Sequence, residues 1–143
     1  MTPGLFGYDL KDVLPHRGNM LLLDAILEAD LSYAVTSSVM TASFPLTDDN
    51  GVQPLIMVEL AAQTAGVCNG LDRIQEQGLD SDKTGWLVGI KRADFYVDCL
   101  PLGKTVLTRS ENSHAYDKLR EVSSVLHMDG GLVGEITLQL YQL

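Results

Sequence analysis

The residue most able to do chemistry is Glu59. It lies in the most apolar stretch of the chain, residues 54–71, which Glu59, Gln63 and Asn69 interrupt. A carboxyl among apolar neighbours is expensive to bury unpaired, so such a residue either serves a pocket or is tied to a nearby polar group. Near a helix start, burial raises a carboxyl pKa while the helix dipole lowers it. A carboxyl tuned upward stays protonated and can donate a proton, and that is the state expected of Glu59. Gln63, one helical turn later, is placed to hydrogen-bond it. Histidine is the other group that exchanges protons near neutrality, and the chain has three: His16, His114 and His127. The last two fall on strand or loop positions and read as surface or hydrogen-bonded residues. Cys68 sits in the apolar run and reads as a small hydrophobe, and Cys99 has no CxxC partner, so both cysteines are read as structural. Ser43 lacks a Gly-x-Ser-x-Gly elbow and reads as a loop residue. No phosphate loop, HExxH or CxxC motif is present, so neither a metal nor a cofactor is expected.

The elements that must position these groups follow from pattern. Residues 9–14 suit one or two turns of helix, stopped by Pro15. Residues 20–29 are mostly apolar and fit a strand, because Gly18 precedes them and a Thr/Val/Ser run follows. Residues 33–41 are rich in β-branched and small side chains and should form its partner. Residues 44–53 carry the turn formers Pro45, Asp48, Asp49, Asn50 and Gly51 and read as a loop. From Pro54 to about residue 77 a helix is expected, with Pro54 in its first turn, where a missing N–H costs nothing. It is apolar nearly all round, so it must be enclosed on most sides. Its small residues Ala61, Ala62, Ala65 and Gly66 would let a sheet approach closely. Residues 86–97, 104–113, 118–127 and 133–142 read as strands, the last two joined by the Asp129-Gly130-Gly131 hairpin signal. One long buried helix and a run of sequential strands point to an α+β domain in which an antiparallel sheet wraps the helix. The outline is that of a hotdog, although pattern alone leaves other α+β folds open.

Composition narrows the function classes. The 143 residues suit one domain, residues 1–143, with 45% hydrophobic and 20% charged residues. Nineteen acidic residues against ten basic give a net charge of −9, which disfavours nucleic-acid binding. Two cysteines make neither a disulfide framework nor a four-ligand zinc site. The apolar run is too interrupted for a membrane span, and residues 1–7 lack the basic cluster and apolar core of an export signal, so a cytoplasmic protein is expected.

Leu14-Pro15-His16-Arg17 followed by Met20-Leu21-Leu22-Leu23-Asp24 resembles the opening of bacterial 3-hydroxyacyl-ACP dehydratases of the FabZ/FabA type. Glu59-Leu60-Ala61-Ala62-Gln63-Thr64-Ala65-Gly66 resembles their central-helix signature. Residues 88–95, 100–103 and the Asp129-Gly130 hairpin follow in family order. Pro45-Leu46-Thr47-Asp48-Asp49-Asn50-Gly51 is similar to a segment of the dehydratase-like branch found in aryl-polyene gene clusters, the ApeP-like branch. The resemblance spans about the whole chain. It implies a hotdog fold, a dimer or larger assembly with a pocket shared between subunits, and an acyl carrier protein as partner. The reaction it implies removes water from a 3-hydroxyacyl thioester, which needs a base for the α-proton, an acid for the leaving hydroxyl and a donor for the thioester oxygen.

By the same resemblance Glu59 corresponds to the catalytic helix carboxylate, and Phe44, Leu55, Ile56 and Gln63 fall on the substrate side. The family's catalytic histidine belongs to a Gly-His-Phe-Pro segment, where this chain reads Ala42-Ser43-Phe44-Pro45. A serine without a base cannot take an α-proton. The family glycine whose N–H serves the oxyanion corresponds to Pro54, so Leu55 or Ile56 would have to supply that donor. His16 belongs to a segment that lies near the acyl pocket in the family, and it is the candidate base, with Glu59 as acid. Alternatively, Leu-Pro-His-Arg simply ends the first helix, with Arg17 paired to an acidic neighbour. Three functions stay open: a dehydratase of aryl-polyene type, a non-catalytic subunit completing the site of a related hotdog partner, and an acyl thioesterase. The Lys91-Arg92 pair is either a contact for an acidic carrier or a solvated surface pair.

Overall fold

The computed structural model describes residues 8–142, so the reading of residues 1–7 lies outside the described residues. Asp9 starts the first helix, α1 (Leu10–Val13), through a reciprocal capping box with Asp12. A single 3-10 turn, Gly18–Met20, follows. Then come β1 (Ala25–Ala29) and β2 (Tyr33–Val39), and a two-strand clip of β3 (Thr47–Asp48) and β4 (Gly51–Val52). The long helix α2 (Ile56–Gln77) precedes β5 (Gly85–Phe95), β6 (Thr105–Tyr116), β7 (Leu119–Met128) and β8 (Gly131–Gln142). Six strands form one antiparallel sheet in the order β1-β2-β6-β7-β8-β5, and the sheet curls around α2.

Alternation along each strand sets the core. Ala34, Thr36 and Ser38 on β2, Val106, Thr108 and Ser110 on β6, Val122, Ser124 and Leu126 on β7, and Ile136 and Leu138 on β8 are all buried. They meet Ile56, Met57, Leu60, Ala61, Ala65 and Cys68 of α2, which are also buried. Hydroxyls are common on this inner face, and most find partners: Thr36 Oγ1 bonds Thr64 Oγ1 at 2.8 Å, and Ser110 Oγ bonds Ser124 Oγ at 2.7 Å and donates to the Ala61 carbonyl at 3.1 Å. Burial pushes the Cys68 thiol up to about 12, in keeping with an inert side chain.

Several elements differ from the sequence expectation. The strand expected over residues 20–29 begins only at Ala25, because the Leu22 N–H bonds the side chain of Gln63 at 3.0 Å instead of a neighbouring strand. The loop of residues 44–53 contains the β3–β4 clip, with Leu46 in the left-handed region at φ 62. Pro54 precedes the helix by two residues, in a turn tightened by i to i+3 bonds from Ile56, Met57 and Val58. β6 runs on to Tyr116 and pairs with β7 as far as Tyr116–Leu119.

The small helix residues divide between two neighbours. Ala61 does let the sheet approach. Gly66 and Gly70 instead admit the α1 segment, since a Cβ on Gly70 would lie 2.2 Å from the Val13 carbonyl oxygen and one on Gly66 2.6 Å from Leu14 Cδ2. The hairpin of β7 and β8 turns at Asp129 and Gly130, both with positive φ, as the sequence requires.

β5 is a sheet edge with two irregularities, at residues 87–89 and 90–92. Its Trp86, Leu87, Val88 and Ile90 are exposed. A long apolar edge of that kind is a template for pairing with another strand. Among the described residues no helix is long and apolar enough to cross a membrane.

Candidate active site

Glu59 enters the helix one turn after its start, on the same face as Leu55, Ala62, Gly66 and Asn69. Where most of α2 is enclosed by the sheet, this face is open. His16 is carried to it by the segment after α1. The side chain of Arg17 fixes that segment by donating to the carbonyls of Leu14 (2.6 Å), His16 (2.8 Å) and Lys11 (2.9 Å). Arg17 thus satisfies helix-end carbonyls and pairs with no acidic neighbour among the described residues.

Gln63 is completely buried and organises the rest. Its Nε2 donates to Glu59 Oε1 at 2.9 Å and to the Met20 carbonyl at 2.8 Å, while its Oε1 accepts from Leu22 N–H. One side chain therefore orients the carboxyl and ties residues 20–22 to the helix. His16 Nε2 lies 3.4 Å from Glu59 Oε1, with the two side chains 30% and 36% exposed. The other imidazole nitrogen, Nδ1, is buried and has no hydrogen-bond partner among the described residues. Leaving such an atom unsatisfied costs about 1–3 kcal/mol.

The state of the carboxyl corrects the sequence expectation. Burial pushes the Glu59 pKa up, but the hydrogen bonds from His16 and Gln63 and the charge of His16 outweigh it, and the net shift is downward. Glu59 therefore rests as a carboxylate at neutral pH and is not a standing acid.

His16, Glu59 and Gln63 are brought together, and His16 and Glu59 line a cleft of about 230 Å³. Leu14, Pro15, Ala62, Gly66, Leu87 and Leu140 give it a largely apolar lining. The other expected substrate residues lie elsewhere. Phe44 packs half-buried against the core, and Ile56 is buried with its N–H engaged by the Gln53 carbonyl at 3.1 Å. Leu55 is exposed, and its N–H makes no hydrogen bond with the described residues, which leaves it as the open donor at the helix start. Ser43 is exposed, bonded to Thr41 Oγ1 at 2.8 Å, and outside the cleft.

Lys91 and Arg92 are held in surface ion pairs, Lys91 with Glu121 at 2.6 Å and Arg92 with Asp94 and, at 3.7 Å, Glu135. His114 bonds Glu121 and stacks on Tyr116.

The far end of the cleft holds Asn69, Lys83, Arg120 and Tyr141, none of which the sequence reading selected. Asn69 was legible in principle, since it shares a helical stripe with Glu59. Nothing in the sequence marks Arg120, which arrives from β7.

Comparison with known proteins gives the family and the fold. The profile of a family described as "ApeP-like: ApeP dehydratase" matches residues 8–143. The 3-hydroxyacyl-[acyl-carrier-protein] dehydratase FabZ of Streptococcus uberis is 29% identical over 105 residues, 70% of this chain and 71% of that protein. Among solved structures, the dehydratase heterocomplex ApeI:P from Xenorhabdus doucetiae matches with a TM-score of 0.84 at 18% identity, covering 94% of this chain and 90% of that one. Cj0977, a sigma28-regulated virulence protein from Campylobacter jejuni, matches with a TM-score of 0.65 at 20% identity, over 90% and 81% of the two chains. At these identities the structural matches establish the hotdog fold.

Proposed function

Since the chain belongs to the ApeP-like dehydratase family, we propose that it dehydrates 3-hydroxyacyl thioesters held on an acyl carrier protein. The setting is fatty-acid or aryl-polyene type synthesis in the cytoplasm. The observation that carries this reading is the His16–Glu59 contact at 3.4 Å inside a cleft with apolar walls. Because Glu59 rests ionised, the roles expected from the sequence are exchanged. The Glu59 carboxylate takes the α-proton, and the electron pair left on the α-carbon forms the double bond. The C–O bond breaks, and the imidazolium of His16 gives its Nε2 proton to the departing hydroxide, which leaves as water. Gln63 holds the carboxylate in place. The open Leu55 N–H lies outside the cleft lining but at the start of the helix that carries Glu59, and it would serve the thioester oxygen of an acyl group that extends from the cleft to the helix start.

A second subunit completes the assembly in this reading. The exposed apolar edge of β5 and the open stripe of α2 are the surfaces such a subunit, a copy or a related hotdog chain, would cover. A second reading has one observation in its favour: Ser43 replaces the family histidine and lies outside the Glu59 cleft. In that reading the chain is the non-catalytic subunit of a dehydratase heterodimer.

Turnover of a 3-hydroxyacyl-ACP, followed as enoyl product by mass spectrometry, separates the two. Activity of the purified chain, lost in both Glu59→Gln and His16→Gln, is the expected result. Activity only on mixing with a related hotdog subunit, untouched by His16→Gln, would replace it with the second reading.

A further inference from the structure

The cleft has two chemically different ends. Ten residues of helix separate Glu59 from Asn69, about 15 Å along the axis. Between them the lining is Leu14, Ala62, Gly66, Leu87 and Leu140, all apolar or without a side chain. Asn69, Lys83 and Arg120 also line the cleft and carry hydrogen-bond donors, with Lys83 Nζ already giving one to the Leu79 carbonyl. The Asn69 amide oxygen accepts from Asn112 Nδ2 at 2.8 Å, which fixes the amide and leaves its NH2 group without a bond to the described residues. Arg120 is held only loosely. Its guanidinium lies 3.6 Å from Asp72 Oδ2 and donates to the Asp117 carbonyl at 3.3 Å, both longer than the ~2.7–2.9 Å of a tight charged pair. With five N–H donors, most of its capacity is open. In a chain of net charge −9, two cations and an amide line one cleft, with Asp72 as the acidic group beside Arg120.

We propose that Arg120, supported by Asn69, reads the far end of the acyl group and selects chains that end in a carboxylate over chains that end in a methyl group. The proposal rests on the acyl-thioester reading of the cleft. An apolar chain end placed against Arg120 would strip water from a charge and return no bond, while a carboxylate there gains charge-assisted hydrogen bonds. Arg120 is thus a specificity-determining residue remote from the reacting carbons.

The test uses the full chain in its native assembly and two unreactive pantetheine amides of equal acyl length, one ending in methyl and one in carboxylate. Binding is followed by titration calorimetry. The carboxylate analogue is expected to bind about tenfold more tightly. Arg120→Met, which keeps the apolar stem, should abolish that preference, and Arg120→Lys should keep part of it. Melting curves of the variants verify that the fold is kept. Equal binding of the two analogues, or a preference that survives Arg120→Met, overturns the proposal and leaves the acyl site standing. Failure of both analogues to bind overturns the acyl-site reading itself, and the proposal with it.

Discussion

The two sides of α2 treat polar groups in opposite ways. On the side against the sheet, Thr64 meets Thr36, and the Ala61 carbonyl accepts from Ser110, all within a core closed to water. On the open side, Glu59 is oriented by Gln63 and His16 but keeps a third of its side chain accessible beside a cleft. The first arrangement satisfies polar groups with each other and holds the sheet in register. The second leaves a charge organised but available. Polarity inside an apolar helix therefore marks architecture where its partners are mutual and buried, and chemistry where one atom faces open space.

Substitutions that separate the two sides test this contrast. The largest effect should come from Glu59→Gln, which is expected to lower dehydration by about a hundredfold or more. It should scarcely move the melting temperature, because the amide oxygen can still accept from Gln63. A large loss of stability would mean that Glu59 is architectural after all. Next, Gly70→Ala forces a methyl into the Val13 carbonyl and should destabilise by about 1–3 kcal/mol in chemical denaturation. Since α1 leads directly to His16, activity should fall with it.

Thr64→Val removes the Thr36 partner inside the core. A cost of about 1 kcal/mol is expected, with turnover unchanged.

The smallest effect concerns pH. Because the folded pKa of Glu59 is depressed, its contribution to stability is present above the ordinary value of 4.5 and is lost as pH falls through the lower folded value. Acid denaturation of wild type and Glu59→Gln should therefore converge in that range. Parallel curves with a constant offset would argue against an ionised Glu59.

Much of this was legible from particular residues. The turn formers Asp129 and Gly130 specify their hairpin locally, and the small and apolar residues of 54–77 specify an enclosed helix. The Glu59–Gln63 bond follows from helical spacing alone. The short β1 was not legible, because Leu22 gives its N–H to Gln63, 41 positions away in sequence. Nor was the purpose of Gly66 and Gly70, which depends on where α1 docks.

The sequence by itself determined the periodicities, the turns and the presence of a carboxyl in an apolar helix, since all of these act between near neighbours. Tertiary structure decided the protonation state of that carboxyl. The sign of its shift turns on His16, brought within 3.4 Å from a different segment. Tertiary structure also decided what else lines the cleft, where Arg120 from β7 joins Asn69 from α2 in the lining. Electrostatic shifts and groove linings depend on distances through space, and for residues far apart in the chain only the packed fold sets those distances.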